Sequence, residues 1–130
     1  MSGESDLTIL LASMEPVRQP GTFVFVSVPE VPAGCHPVAT VQEAEGLTLV
    51  LTKQDADAHA LGAGFEAAMI SLTIHSALDA VGLTAAFAKA LASEGISCNV
   101  IAGYFHDHLF VPVDRADEAM DALGRLAAGK

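Results

Sequence analysis

The 130-residue sequence predicts an α+β fold, with antiparallel sheets and helices on one face. Three observations carry that reading. Short stretches in which apolar and polar residues alternate recur along the chain. Two segments with apolar residues at helical spacing stand among them in the second half. Breaks rich in glycine and proline separate the pieces.

Taken in order, residues 7–12 form an apolar run that reads as a short buried strand. Residues 14–21, MEPVRQPG, carry two prolines and a glycine and read as a turn or loop. Residues 22–28, TFVFVSV, are rich in β-branched and aromatic side chains, as a strand requires. Residues 29–37 hold three prolines and a glycine, so helix is excluded and an extended loop is expected. LTLVLT at 47–52 is another strand, and residues 53–60 are a short helix closed by Gly62 and Gly64.

The second half is more regular. Across residues 68–76, Ile70, Leu72 and Ile74 alternate with Ser71, Thr73 and His75, the pattern of a strand with one buried face. Leu83, Phe87, Ala90 and Leu91 recur at helical spacing, and Gly95 is placed to end that helix. Ile96, Cys98 and Val100 resume the alternation, residues 104–106 make a turn, and Leu109, Val111 and Val113 form the returning strand. Asp114 is expected to cap a last helix whose apolar stripe is Ala116, Met120, Leu123 and Leu126, with residues 127–130 frayed. From residue 68 onward the order is βαββα, one strand short of βαββαβ. The first half could lend that strand. Two ferredoxin-like halves, residues 1–65 and 66–130, exchanging a strand between them, account for every element.

Charge narrows the function. Six Lys and Arg stand against sixteen Asp and Glu, a net charge of -10, with no basic cluster. Nucleic-acid affinity rests on neutralising phosphates, and an anionic membrane surface repels such a chain, so neither partner is expected. No apolar run reaches the roughly 18–20 residues of a spanning helix, and the first residues lack the basic, long apolar pattern of a secretory signal. A cytoplasmic protein is the expectation. Cys35 and Cys98 have no CxxC spacing and suggest no disulfide framework. Cys98 reads as a small buried apolar residue. Cys35, in the loop PAGCHP, is expected to be more exposed, and its neighbour His36 does not make it a nucleophile unless the two meet in space.

The stretch HSALDAVGLTAAFAKALASEGISCNVIAGYFHDHLFVPV resembles the ACT domain, with its Asp- and Gly-containing loop, helix, glycine-isoleucine pair and strand. The resemblance runs from about Ala68 to Gly124, and the first half joins it through LTILLASMEP, TFVFVSV and EGLTLVLT. The chain is most similar to small bacterial tandem-ACT proteins. It also resembles the regulatory ACT pairs of aspartate kinases and, more distantly, the tandem-ACT arginine sensors of animals. The resemblance implies a regulatory module that binds a small molecule, an amino acid above all, at an interface between ACT units. A sheet edge or helical face left over from so small a unit makes a homodimer the expectation, and neither catalysis nor a cofactor is expected.

The resemblance places ligand contacts in the loop after the first strand of the C-terminal half, here Ser76 to Thr84, and on the second strand, at Ser97 and Asn99. Aspartate-kinase ACT units often carry Asn and Asp at the latter positions, and Ser97 departs from that pattern. The chemistry agrees with a carboxylate ligand. Gly82 and the N–H groups of Val81, Leu83 and Thr84 open a helix, where free donors and the helix dipole favour an anion. Asp79 can pair with a ligand ammonium or cap the helix, and Asn99 offers both a donor and an acceptor. His106 and His108, with His75, invite a metal reading, for zinc commonly takes three protein ligands and a water. No CxxC or HExxH strengthens it, and polar residues at a hairpin tip explain the same letters. A small metal-dependent enzyme around these histidines and an interaction module acting on a separate enzyme are the alternatives. There is no GxSxG, Walker lysine or GxGxxG to support catalysis.

Overall fold

The computed structural model describes residues 6–62, 64–73, 78 and 80–129. Its elements are α1 (Leu7–Ser13), β1 (Pro16–Arg18), β2 (Phe23–Val28), β3 (Ala39–Gln42), β4 (Leu47–Thr52), α2 (Lys53–Ala58), β5 (Glu66–Leu72), α3 (Leu83–Ser93), β6 (Asn99–Ala102), β7 (Asp107–Pro112) and α4 (Ala116–Ala127). They group into two compact units, one of Met1–Gln19 with Ala68–Lys130, the other of Pro20–Ala67.

In the first unit β7 lies between β5 and β6, and β1 pairs antiparallel on the other side of β5, with Pro16 opposite Leu72 and Arg18 opposite Ile70. The order β1-β5-β7-β6 is that of a βαββαβ unit whose last strand lies beside its first. The missing strand therefore comes from the N-terminal segment. Its two prolines read as a loop, yet Pro16 opens a short strand, a position where its absent N–H costs no ladder bond. One face of β5 and β7 carries Ala68, Ile70, Leu72, Leu109 and Val111, packed under Leu10 and Met14 of the N-terminal segment, Leu83, Phe87 and Leu91 of α3, and Ala119 and Leu123 of α4.

Residues 7–13 are helical, not the strand their apolar run suggested. The Asp6 carboxylate accepts the Ile9 N–H at 3.1 Å and caps the helix, and Leu7, Leu10 and Leu11 turn one side into the core. Helix α3 ends as its glycine requires. Gly95 at φ 72° lets its own N–H reach Ala92 O and the Ile96 N–H reach Leu91 O, a Schellman closure with Ile96 buried against the core. The start of α4 differs from expectation: Val113–Arg115 form a 3₁₀ turn, and no Asp114 side-chain cap is made.

In the second unit β3, β4, β2 and the first residues of β5 lie side by side in that order, every pair antiparallel. This is the same strand plan, with residues 29–38 replacing the first helix. Val24, Val26, Leu49 and Leu51 face the α2 side, where Ala56 and Cys35 complete the core. Strand β3, absent from the sequence reading, is a polar hairpin edge with Thr40, Val41 and Gln42 exposed. No described helix is long and apolar enough to cross a membrane.

Candidate functional site

Among the expected ligand residues, Val81, Gly82, Leu83 and Thr84 sit together at the start of α3. Gly82 is its N-cap at φ 100° and ψ -18°, and among the described residues no side chain caps the first turn. The first helical bond runs from the Ala86 N–H to Gly82 O, which leaves the N–H groups of Leu83, Thr84 and Ala85 without helical acceptors. Val81 is 82% exposed and Thr84 exposed, whereas Leu83 points into the core. The positive φ disfavours any side chain at Gly82, and a Cβ there would stand 2.9 Å from Leu7 Cδ2, the end of a flexible side chain that would have to shift. Ser76 and Asp79 lie outside the described residues, as does His75.

Asn99 opens β6, its side chain exposed and its backbone paired with Phe110. Ser97, expected on that strand, lies before it and is exposed. Cys98 is half-buried, and burial pushes its thiol up to about 11, which keeps it protonated and inert.

Among the described residues, His106 and His108 belong to no group of three metal-ligating side chains. His106 belongs to the turn, where its carbonyl accepts the Gly103 N–H at 2.9 Å, and β7 begins one residue later. His108 turns to Ser71 instead, with Nδ1 2.8 Å from the hydroxyl. Ser71, buried on the face of β5 away from the helices, also accepts from Gln19 Nε2 at 3.1 Å. A neutral imidazole satisfies the pair in either tautomer, Nδ1 accepting the hydroxyl proton or Nδ1–H donating to the hydroxyl oxygen. Burial lowers the His108 pKa in the same sense.

A second constellation escaped the sequence reading. Thr52 caps α2 by accepting the Asp55 N–H at 3.1 Å. The Asp55 carboxylate turns to residues 33–36: Oδ2 accepts the His36 N–H at 2.8 Å and the Cys35 thiol at 3.6 Å. One turn on, His59 Nδ1 lies 3.2 Å from Asp55 Oδ1 and 2.9 Å from Asp55 O, while Nε2 lies 3.1 Å from Ala33 O. Cys35 is 8% exposed, not the open loop cysteine expected, and its partner is Asp55, not His36. The His36 N–H holds the Asp55 carboxyl below the usual range, the Asp55 carbonyl raises His59, and burial with the nearby Asp55 charge raises the Cys35 thiol. The i, i+4 spacing of Asp55 and His59 was visible in DADAH; the approach of Cys35 depends on the loop.

Comparison with known proteins agrees with the two-unit plan. ACT-domain models match residues 2–68 and 65–125. The fold is similar to that of a Vibrio cholerae protein of unknown function, 48% identical over 93% of this chain and 95% of that one, with a TM-score of 0.84. An Agrobacterium tumefaciens protein is 17% identical over 88% of this chain and 89% of that one, at a TM-score of 0.72. The ligand-free regulatory subunit of aspartate kinase from Thermus thermophilus is 12% identical over 88% and 98%, at 0.62. Among proteins of curated function, none matches the chain in sequence. Two ACT matches that together span residues 2–125, and a relative sharing nearly half its residues, give one conclusion: the chain is a tandem member of the ACT-domain family, a family of small-molecule-binding regulatory domains.

Proposed function

We propose that this protein is a cytoplasmic regulatory module that binds an amino acid and performs no catalysis, built from ACT halves at residues 1–65 and 66–130. The observation that supports it is the pair of ACT matches, joined to an uncapped, glycine-opened helix start at Gly82. An amino-acid carboxylate meets the N–H groups of Val81, Leu83 and Thr84, where donors without helical acceptors and the helix dipole favour negative charge. Asn99 supplies paired polar contacts to the amino-acid backbone, with Ser97, Ser76 and Asp79 completing the set. Binding shifts an assembly equilibrium between copies of the chain, a homodimer in the simplest case, without turnover.

A thermal-shift series of the purified chain against the twenty amino acids tests this. A ligand at a hundred times its Kd adds roughly 2.7 kcal/mol, several degrees in a domain of this size. One amino acid should raise Tm selectively, and the exposed variant Asn99→Ala, which removes a side chain proposed to hold the ligand, should shrink the shift while unfolding as the parent does. A flat response to all twenty would sink the proposal.

The interaction-module alternative has its own support in the exposed Leu78, Val81, Tyr104 and Phe105. It predicts a partner enzyme on co-purification and no response to any metabolite.

A further inference from the structure

We infer that Cys35, Asp55 and His59 form a binding site for a zinc-class divalent cation that fastens residues 33–36 to α2. Among the described residues these three are the group whose thiol, carboxylate and imidazole atoms all lie within 4.8 Å of one another. The distances fit the ion. Zinc bonds of about 2.3 Å to sulfur and 2.0 Å to nitrogen or oxygen put tetrahedral ligand atoms roughly 3.3–3.5 Å apart. Here Cys35 Sγ lies 3.6 Å from Asp55 Oδ2 and His59 Nδ1 lies 3.2 Å from Oδ1, so the carboxylate presents one oxygen to each of the other two donors.

The surroundings hold the donors as a metal site needs. Nε2–H of His59 donates to the Ala33 carbonyl at 3.1 Å, the backbone contact that fixes a ligating imidazole and leaves the Nδ1 lone pair inward. That lone pair faces two more acceptors, Asp55 O at 2.9 Å and Oδ1 at 3.2 Å. Acceptors so close repel unless a cation stands between them; a proton on Nδ1 is one solution and a metal ion the other. Asp55 is steadied from behind by the His36 N–H on Oδ2. Its own N–H is bound to Thr52, so the carboxylate sits on the first turn of a capped helix. Gly34 passes His59 with φ 83°, and a Cβ there would stand 3.5 Å from Nε2, so the strand of loop carrying Cys35 lies against the ring.

Chemical type narrows the ion. A thiolate and an imidazole select zinc-like metals over magnesium or calcium, and three protein ligands leave a fourth position for water. On binding, the Cys35 thiol gives its proton to solvent, as does His59 where Nδ1 carries one, and the metal takes both lone pairs. Thiolate and carboxylate together balance the double charge of the ion.

Cobalt(II) serves as the probe on the full chain under reducing conditions. The expected result is one ion per chain, with thiolate-to-cobalt charge-transfer absorption and tetrahedral d–d bands, displaced by zinc. Cys35→Ser should abolish the charge-transfer band, and Asp55→Asn and His59→Gln should each weaken binding at least about 10-fold, since loss of a ligand costs more than loss of its supporting partner. His59→Gln is the safeguard should Cys35→Ser fold poorly, with circular dichroism reporting the fold of both. Cys98→Ser and the double variant His106→Ala, His108→Ala should bind as the parent does. The inference is overturned by a chain that takes up no stoichiometric cobalt, by cobalt bound without a thiolate band, or by binding that survives Cys35→Ser or vanishes with His106 and His108. The readout does not depend on amino-acid binding, so this site and the one at Gly82 stand or fall separately.

Discussion

The two units share a strand plan and differ in what covers the sheet. In the unit containing β5 and β7, three helices deliver Leu10, Leu83, Phe87, Leu91, Ala119 and Leu123 to one apolar face. In the unit of β2, β3 and β4, a six-residue helix and a proline-rich loop do the work, and Cys35 fills space that a helix would fill elsewhere. Covering a sheet with helices makes a deep core and leaves helix termini available for ligands. Covering it with a loop makes a thinner core and needs polar anchors, here Asp55 and His59, to hold the loop down.

The largest expected effect strikes the deep core. Phe87 is fully buried, and Phe87→Ala should cost about 3–5 kcal/mol, read as a fall in the denaturant midpoint. Val26 in the thinner core is 8% exposed, and Val26→Ala should cost clearly less. Equal losses would break the contrast between the units.

Two glycines sharpen it further. Gly82 and Gly34 both hold positive φ, but an added Cβ meets Leu7 at 2.9 Å in the first and an ordinary contact at 3.5 Å in the second. Gly82→Ala should therefore lose about 1–3 kcal/mol from backbone strain alone, with the clash added. Gly34→Ala should show the strain without the clash. Urea unfolding of the two variants side by side decides it.

Next in size is the buried network on the far face of β5. Ser71→Ala removes the partner of both Gln19 and His108 and should cost about 1–3 kcal/mol, the range for stranding a buried polar group. The same network sets a pH dependence. With the His108 pKa lowered below 6.5 in the folded state, the unfolded chain binds more protons between the two values. Stability thus rises with pH across that window and is lost as pH falls below 6.5. The slope of unfolding free energy against pH just below 6.5 should flatten in His108→Gln; an unchanged slope would show that His108 is not held neutral.

The smallest effect is at α1. Asp6→Ala removes the cap that accepts the Ile9 N–H and should cost about 1 kcal/mol, measured by thermal unfolding.

These contrasts follow what was legible in the sequence. Strands with one buried face, such as β5 and β7, declare themselves by alternation, and α3 by its spacing and its Gly95 stop. Residues 7–13 did not, because a run of six apolar and small residues satisfies either period, and the arbiter was Asp6, one residue upstream. β3 was invisible because an exposed edge strand has no buried face to mark it. At the candidate sites, the Gly82 turn was readable from GLT before a helical stripe. Cys35 was not, since which acceptor a loop cysteine meets depends on loop torsions that no periodicity encodes.

The place of β1 has a consequence in time. Pro16 must wait for Leu72, more than fifty residues later, before its pairing can form. At 5–20 residues per second that delay is roughly 3–10 s during synthesis. The unit of Pro20–Ala67 is one continuous stretch and can close in that interval, while the N-terminal segment stays without its partner strand. The last strand of the βαββαβ plan is thus the first to be made, and the order of assembly along the chain runs from the inside outward.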